Sequence, residues 1–207
     1  MKSFRRRVRL KQVLLLATFL LLIVIGSACS SEKTISDKLD WDVQKFEATD
    51  QKGGALSLAD LKGKVWIADF IFTSCTSVCP PMTANMAKLQ KRLKEANASV
   101  DIVSFSVDPE RDTQSIRKKY ISARGGDLSN WSFLGGYDFD YVKDLSESSF
   151  KSAVEKPPEG SDQFTHGTRF FLVNQQGTIV KQYDGYSDVP YDKIVDHVKI
   201  LNSKGGE

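Results

Sequence analysis

Two cysteines stand four residues apart in the stretch Phe72-Thr73-Ser74-Cys75-Thr76-Ser77-Val78-Cys79-Pro80-Pro81. They follow an apolar run, Val65 to Phe72, and precede an amphipathic segment that opens with two prolines. Such a pair can be a structural disulfide, a redox couple, or two ligands of a metal ion. A thiolate is both the nucleophile and the metal-binding form of cysteine, and a helix N-terminus favours it. The strand-to-helix junction therefore serves redox chemistry and ligation equally. Redox pairs of the Cys-x-x-Cys type have two intervening residues. Three make a wider loop, which can still close as a disulfide and can also hold two sulfurs around an ion. A purely structural staple is poorly served. In the chain-entropy view, a loop of about five residues stabilises by roughly 2 kcal/mol, against about 4.7 kcal/mol for a loop near 100 residues.

The surrounding elements follow from periodicity and punctuation. Trp41 to Ala48 reads as an edge strand, Asp50 to Gly54 as a turn, and Leu56 to Gly63 as a short helical turn ending at glycine. Val65 to Phe72 is almost continuously apolar, as expected of a strand covered on both faces. Met82, Met86, Leu89 and Leu93 then mark one face of a helix, with prolines in its first turn. Val100 to Val107 is a second apolar strand. A helix is expected from Ser115 to Ala123, starting near Asp112 or Thr113, a short strand at Trp131 to Leu134, and weak helical character from Asp138 to Phe150. Lys156 to Gly160 is a loop. Thr168 to Val173 and Thr178 to Tyr183 form a hairpin about the turn Asn174 to Gly177, and Pro190 to Asn202 is a final helix. Parallel central strands, a C-terminal antiparallel hairpin and flanking helices make an α/β protein with a central mixed sheet, an arrangement like that of thioredoxin.

If the two sulfurs bind metal, further ligands are needed, and the chain has two histidines, His166 and His197. His197 falls in the last helix between Asp196 and Val198 and is expected on its polar surface. His166 lies in Gln163-Phe164-Thr165-His166-Gly167, just before the first hairpin strand. A lone loop histidine is commonly structural or solvated. In a thioredoxin-like arrangement, however, that loop passes close to the cysteine loop. Two thiolates and an imidazole form a soft, three-coordinate set suited to copper(I), with the imidazole also suiting copper(II). A structural zinc ion would want four ligands. Met82 and Met86 share a stripe with leucines and read as core rather than as thioether ligands.

The N-terminus carries different information. Lys2, Arg5, Arg6, Arg7, Arg9 and Lys11 precede the apolar stretch Val13 to Ile25, small residues, and Cys29. Basic head, short apolar middle and small-residue exit describe a signal peptide over residues 1–28. The competing reading is an uncleaved membrane anchor, for which the run is short. Cys29 resembles a lipoprotein cleavage cysteine, although Gly26 stands where such sites usually carry Leu. Residues 29–40 would then be a polar linker and 41–207 one domain. Removing the head takes Lys+Arg from 29 to 23 against 26 Asp+Glu, so the net charge moves from +3 to −3. The mature charge offers no footprint for nucleic acid.

Taken together, three segments resemble the SCO/SenC family of copper-binding assembly proteins. They are Asp69 to Pro80 with its Cys-x-x-x-Cys-Pro, Ser106-Val107-Asp108-Pro109-Glu110-Arg111-Asp112-Thr113, and His166-Gly167 ahead of an apolar strand. The resemblance covers roughly Trp41 to Leu201. It implies a thioredoxin-like fold, attachment to the extracytoplasmic face of the cell membrane, and copper held by Cys75, Cys79 and His166. It implies a partner as well, the CuA-bearing subunit II of cytochrome c oxidase. Asp108 matches an acidic position near the site, where it would orient the histidine or tune the thiols; otherwise it begins the turn before Pro109. Two other uses of the cysteines stay open. One is a thiol–disulfide oxidoreductase that keeps the CuA cysteines reduced. The other is a peroxide-reducing or redox-sensing thiol, since Thr73-Ser74-Cys75 resembles the surroundings of a peroxidatic cysteine.

Overall fold

The computed structural model describes residues 34–203. The expected signal segment and the lipidation candidate Cys29 lie outside these residues. Among the described residues no helix is long and apolar enough to cross a membrane.

The centre of the fold is β4 (Trp66–Ile71), all six of whose residues are buried. It pairs in parallel with β5 (Asp101–Ser106) and antiparallel with β9 (Arg169–Val173). Both faces are covered, so the strand has no polar side to show, and its apolar run follows. β6 (Trp131–Leu134) pairs in parallel with β5 at one edge. On the other side β10 (Thr178–Asp184) follows β9, and β1 (Trp41–Asp42) closes the sheet, giving the order β1-β10-β9-β4-β5-β6. Four helices accompany the strands: α1 (Cys79–Glu95), α2 (Gln114–Ser122), α3 (Phe139–Phe150) and α4 (Tyr191–Ser203). α1 carries Pro80 and Pro81 in its first turn, where backbone N–H groups have no partner within the helix to lose. Its Met82, Met86, Leu89 and Leu93 are all buried. Against the sheet, Phe150 of α3 meets Phe70 and Phe171 edge-on, each with ring centroids 5.1 Å apart, and Phe70 stacks on Phe105 at 5.3 Å.

Several boundaries differ from the periodicity. The strand expected over 41–48 is two separate pieces. Only Trp41–Asp42 joins the sheet, while β2 (Glu47–Thr49) forms its own hairpin with β3 (Ala55–Ser57). The turn between them contributes an unexpected cap. The Gln51 carboxamide donates to the Trp131 carbonyl at 2.7 Å and accepts from the Phe133 N–H at 2.7 Å, so one side chain serves as the missing neighbour of the edge strand β6. His197, expected on the surface, is buried, and its Nδ1 sits 2.7 Å from the Tyr183 hydroxyl. Burial lowers its pKa, which leaves a neutral ring to accept the phenol proton. The alternation of charges around it had disguised a core position.

Candidate metal centre

Cys75 lies in the loop that leaves β4, and Cys79 is the first residue of α1. The helix therefore presents its first N–H groups to the loop behind it. The Cys79 backbone N–H donates to Cys75 Sγ at 3.3 Å. This is one of the donors a helix start leaves unpaired, here spent on sulfur. The two thiols are unequal. Hydrogen bonding from the Cys79 side chain, and from backbone N–H groups, lowers the Cys75 pKa strongly against the opposing effect of burial. Burial, and then the neighbouring Cys75 sulfur, raises that of Cys79. The pair holds one proton, on the fully buried Cys79, and Cys75 is the thiolate. The two sulfurs are not joined in a disulfide.

The third group arrives from a distant part of the chain. β7 (Val154–Glu155) and β8 (Thr165–His166) make a two-residue hairpin that pairs Val154 with His166. Sequence inspection placed His166 in a loop; two rungs are too few to leave a periodic pattern. His166 Nε2 lies 3.0 Å from Cys79 Sγ, and Nδ1 lies 2.9 Å from the Gly167 carbonyl. A carbonyl only accepts, so Nδ1 carries the ring proton and Nε2 turns a lone pair toward the sulfurs. The ring of Phe72 packs edge-on against the imidazole, with centroids 5.8 Å apart. The donor atoms of Cys75, Cys79 and His166 all lie within 4.8 Å of one another. Two sulfurs and one imidazole nitrogen fit a soft ion of low coordination number and not a four-ligand structural zinc. Met82 and Met86 are wholly buried on the inner face of α1, among the core side chains.

Asp108 sits behind this group rather than in it. Its carboxylate accepts from Arg111 Nε at 2.6 Å and from Ser74 Oγ at 3.3 Å. The imidazole is oriented by Gly167, and Asp108 reaches the site through the residue before Cys75. Three other residues had drawn no attention in the sequence as parts of the site. Asp112, expected only as a helix start, accepts from the Thr73 N–H at 3.2 Å and from the Thr73 and Ser106 hydroxyls. It thereby pins the root of the cysteine loop to the end of β5. Gln163 bonds to Ser74 and Thr76, on either side of Cys75. Gln163 has no signal in the sequence, because these bonds span 87 residues or more; Asp112 lies in the second resembling segment, but its bond to Thr73 across 39 residues is visible only in the fold.

Asp69 is different, since an acid inside an apolar run is visible before folding. It is fully buried in β4, and among the described residues neither carboxylate oxygen has a hydrogen-bond partner. Burial pushes its pKa up to about 7, with the nearby Ser104 hydroxyl opposing. The Ser104 hydroxyl accepts from Trp131 Nε1 at 3.0 Å and is not in bonding geometry with the carboxylate.

A mixed α/β sheet of this order, with an unequal dithiol at the end of its central strand and an imidazole brought over it, defines a thioredoxin-like protein with a soft-metal or dithiol site. The family model described as SCO1/SenC matches residues 38–201, and the chain belongs to that family. Among solved structures, it is similar to a SCO1/SenC family lipoprotein from Bacillus anthracis. That likeness has 46% identity and a TM-score of 0.79, and covers 82% of this chain and 99% of the other. A second likeness is to BsSco, described as a member of the Sco family of cytochrome c oxidase assembly proteins with a disulfide switch. There the identity is 44% and the TM-score 0.77, over 83% of this chain and 99% of the other. A more distant one is ScoI of Bradyrhizobium japonicum with copper bound, at 26% identity and a TM-score of 0.65, over 77% and 99% of the two chains.

Proposed function

We propose that this protein binds copper through Cys75, Cys79 and His166 and delivers it to the CuA centre of subunit II during cytochrome c oxidase assembly. The observation that carries the reading is the convergence of three soft donors within 4.8 Å, with the Nε2 lone pair facing the sulfurs. Copper-bound and oxidase-assembly relatives support it. Copper is cargo here. Capture of copper(I) by the Cys75 thiolate and the Cys79 thiol releases the single shared proton and leaves a three-coordinate ion with room for an incoming ligand. Ligand exchange with cysteines and histidines of the acceptor then moves the ion without any change in its charge. We place the domain on the extracytoplasmic face of the membrane, tethered by lipid on Cys29. The lipoprotein relative supports this, and a tether raises the effective concentration beside a membrane-bound acceptor.

Anaerobic copper(I) titration of the soluble domain tests the site. The parent is expected to bind one equivalent, Cys75→Ser and Cys79→Ser to lose tight binding, and His166→Ala to bind at least tenfold more weakly. Equal affinity in His166→Ala would remove the histidine from the site.

A second reading is favoured by the inequality of the two thiols. A thiolate beside a protonated thiol is arranged for disulfide exchange. The Cys75 thiolate attacks one sulfur of an oxidised acceptor, expelling the other as thiolate. The Cys79 sulfur then displaces the second, its proton passing to an acceptor thiolate. The acceptor gains two electrons and this protein becomes the Cys75–Cys79 disulfide. In a deletion strain, full restoration of oxidase by added copper supports delivery. Failure despite ample copper supports thiol exchange.

A further inference from the structure

We propose that Gln163 is a positioning residue that holds His166 over the thiols by clamping its segment to the main chain on both sides of Cys75. The inference rests on the copper-site reading above and concerns how that site is held together.

Gln163 lies three residues before His166. Its carboxamide oxygen accepts from the Thr76 N–H at 3.1 Å and from the Thr76 hydroxyl at 3.3 Å. Its nitrogen donates to the Ser74 carbonyl at 3.2 Å and to the Asp162 carboxylate at 2.7 Å. The Ser74 carbonyl and the Thr76 N–H flank Cys75, so one side chain meets both neighbours of the thiolate, much as an adjacent strand would. Among the described residues, every hydrogen bond from segment 156–165 to the cysteine loop is made by Gln163.

The segment needs such a clamp. Two rungs of hairpin are too little to support themselves in water. The Nδ1 contact of His166 runs to its own neighbour Gly167 and fixes the tautomer without anchoring the segment. Other contacts hold 156–165 to the body, among them Lys156, which reaches Asp140 at 3.7 Å from the end of the segment far from the histidine. Phe164 packs between Phe72 and Phe139, with centroids at 5.5 and 5.6 Å, and Arg111 donates to the Asp162 carbonyl at 3.0 Å. Among the described residues, the Gln163 amide alone hydrogen-bonds the segment to the backbone on either side of Cys75. Loss of the clamp leaves all three ligands present and releases the distance between imidazole and sulfur.

The test uses the reduced soluble domain in two states. In the metal-free protein, hydrogen exchange of the Thr76 amide is expected to speed up about tenfold in Gln163→Ala, with β4 amides unchanged. In the copper(I) protein, release to a competing chelator is compared among the parent, Gln163→Ala, His166→Ala and the double variant. Gln163→Ala is expected to release copper about tenfold faster, as for loss of a residue that orients a ligand. The double variant is expected to be no faster than His166→Ala alone, because the clamp acts through the histidine. A change under about twofold in Gln163→Ala beside a fast His166→Ala overturns the clamp and leaves the copper site standing. So does an effect of equal size in the His166→Ala background. Release from His166→Ala at the parent rate sinks the copper-site reading and the clamp with it. Gln163→Glu keeps the acceptor for Thr76 and loses the donor to Ser74. It is expected to retain Thr76 protection with intermediate release, and it serves if the alanine variant does not fold; release at the parent rate overturns the proposal.

Discussion

Replacing Asp69 by asparagine should stabilise the metal-free protein, and more so as pH rises. The side chain is fully buried with both oxygens unpartnered, so ionising it in the folded state forfeits hydration that nothing replaces. Its pKa stands at about 7 in the fold against an ordinary value of 3.8. A raised carboxylate pKa means that the folded state binds the proton more tightly than the unfolded chain. Stability linked to this group is therefore full below about pH 4, falls between about 4 and 7, and is lost above about 7. At about 1.4 kcal/mol for each tenfold change in proton affinity, the difference comes to roughly 4 kcal/mol. That is a large share of the roughly 5–15 kcal/mol that domains of this kind possess. Asparagine keeps the shape and carries no charge to desolvate. Urea unfolding of reduced parent and Asp69→Asn, at pH 5 and pH 8, isolates the group, since all other titrations are common to both. The gap between the two proteins should widen by a few kcal/mol at the higher pH. An unchanged gap would show that the carboxylate finds water or a partner in solution and would refute the argument from burial.

Further outcomes follow from the same geometry. Because the dithiol holds one proton and Nε2 is bare, copper(I) affinity should rise about tenfold per pH unit above pH 7.5, in competition titrations. A hundredfold rise would mean that both thiols are protonated in the free protein. Gly135→Ala would drive a methyl into Nη1 of the buried Arg117 guanidinium, and should cost about 1–3 kcal/mol in chemical unfolding. Tyr183→Phe should leave the buried His197 Nδ1 without its donor and lower stability by about 1–3 kcal/mol.

The fold was legible where one residue's neighbours decide its environment. A strand covered on both faces must be apolar throughout, and Val65 to Phe72 shows it. A helix facing a sheet must repeat its apolar residues near every 3.6 positions, and Met82 to Leu93 shows that. The placement of Cys75 and Cys79 between a strand and a helix was legible for the same reason, since four residues of spacing and a following helix are local facts. The acid in β4 was likewise visible as an exception to its own run. Legibility ended where a contact spans the chain. Trp41 to Ala48 looked like a single strand because alternation does not record which partner each half will meet. His197 looked exposed because Tyr183, which accompanies it in the core, lies on another element.

The sequence by itself determined that a strand, a bend with two thiols, and a helix would follow one another, because the energies that choose those conformations act over a few residues. Only the tertiary structure decided which thiol keeps the proton, which ring nitrogen is bare, and that Gln163 and Asp112 hold the bend in place. Those outcomes depend on burial and on hydrogen bonds across 39 to 89 residues of chain, and they exist only once packing has excluded water and brought the partners together.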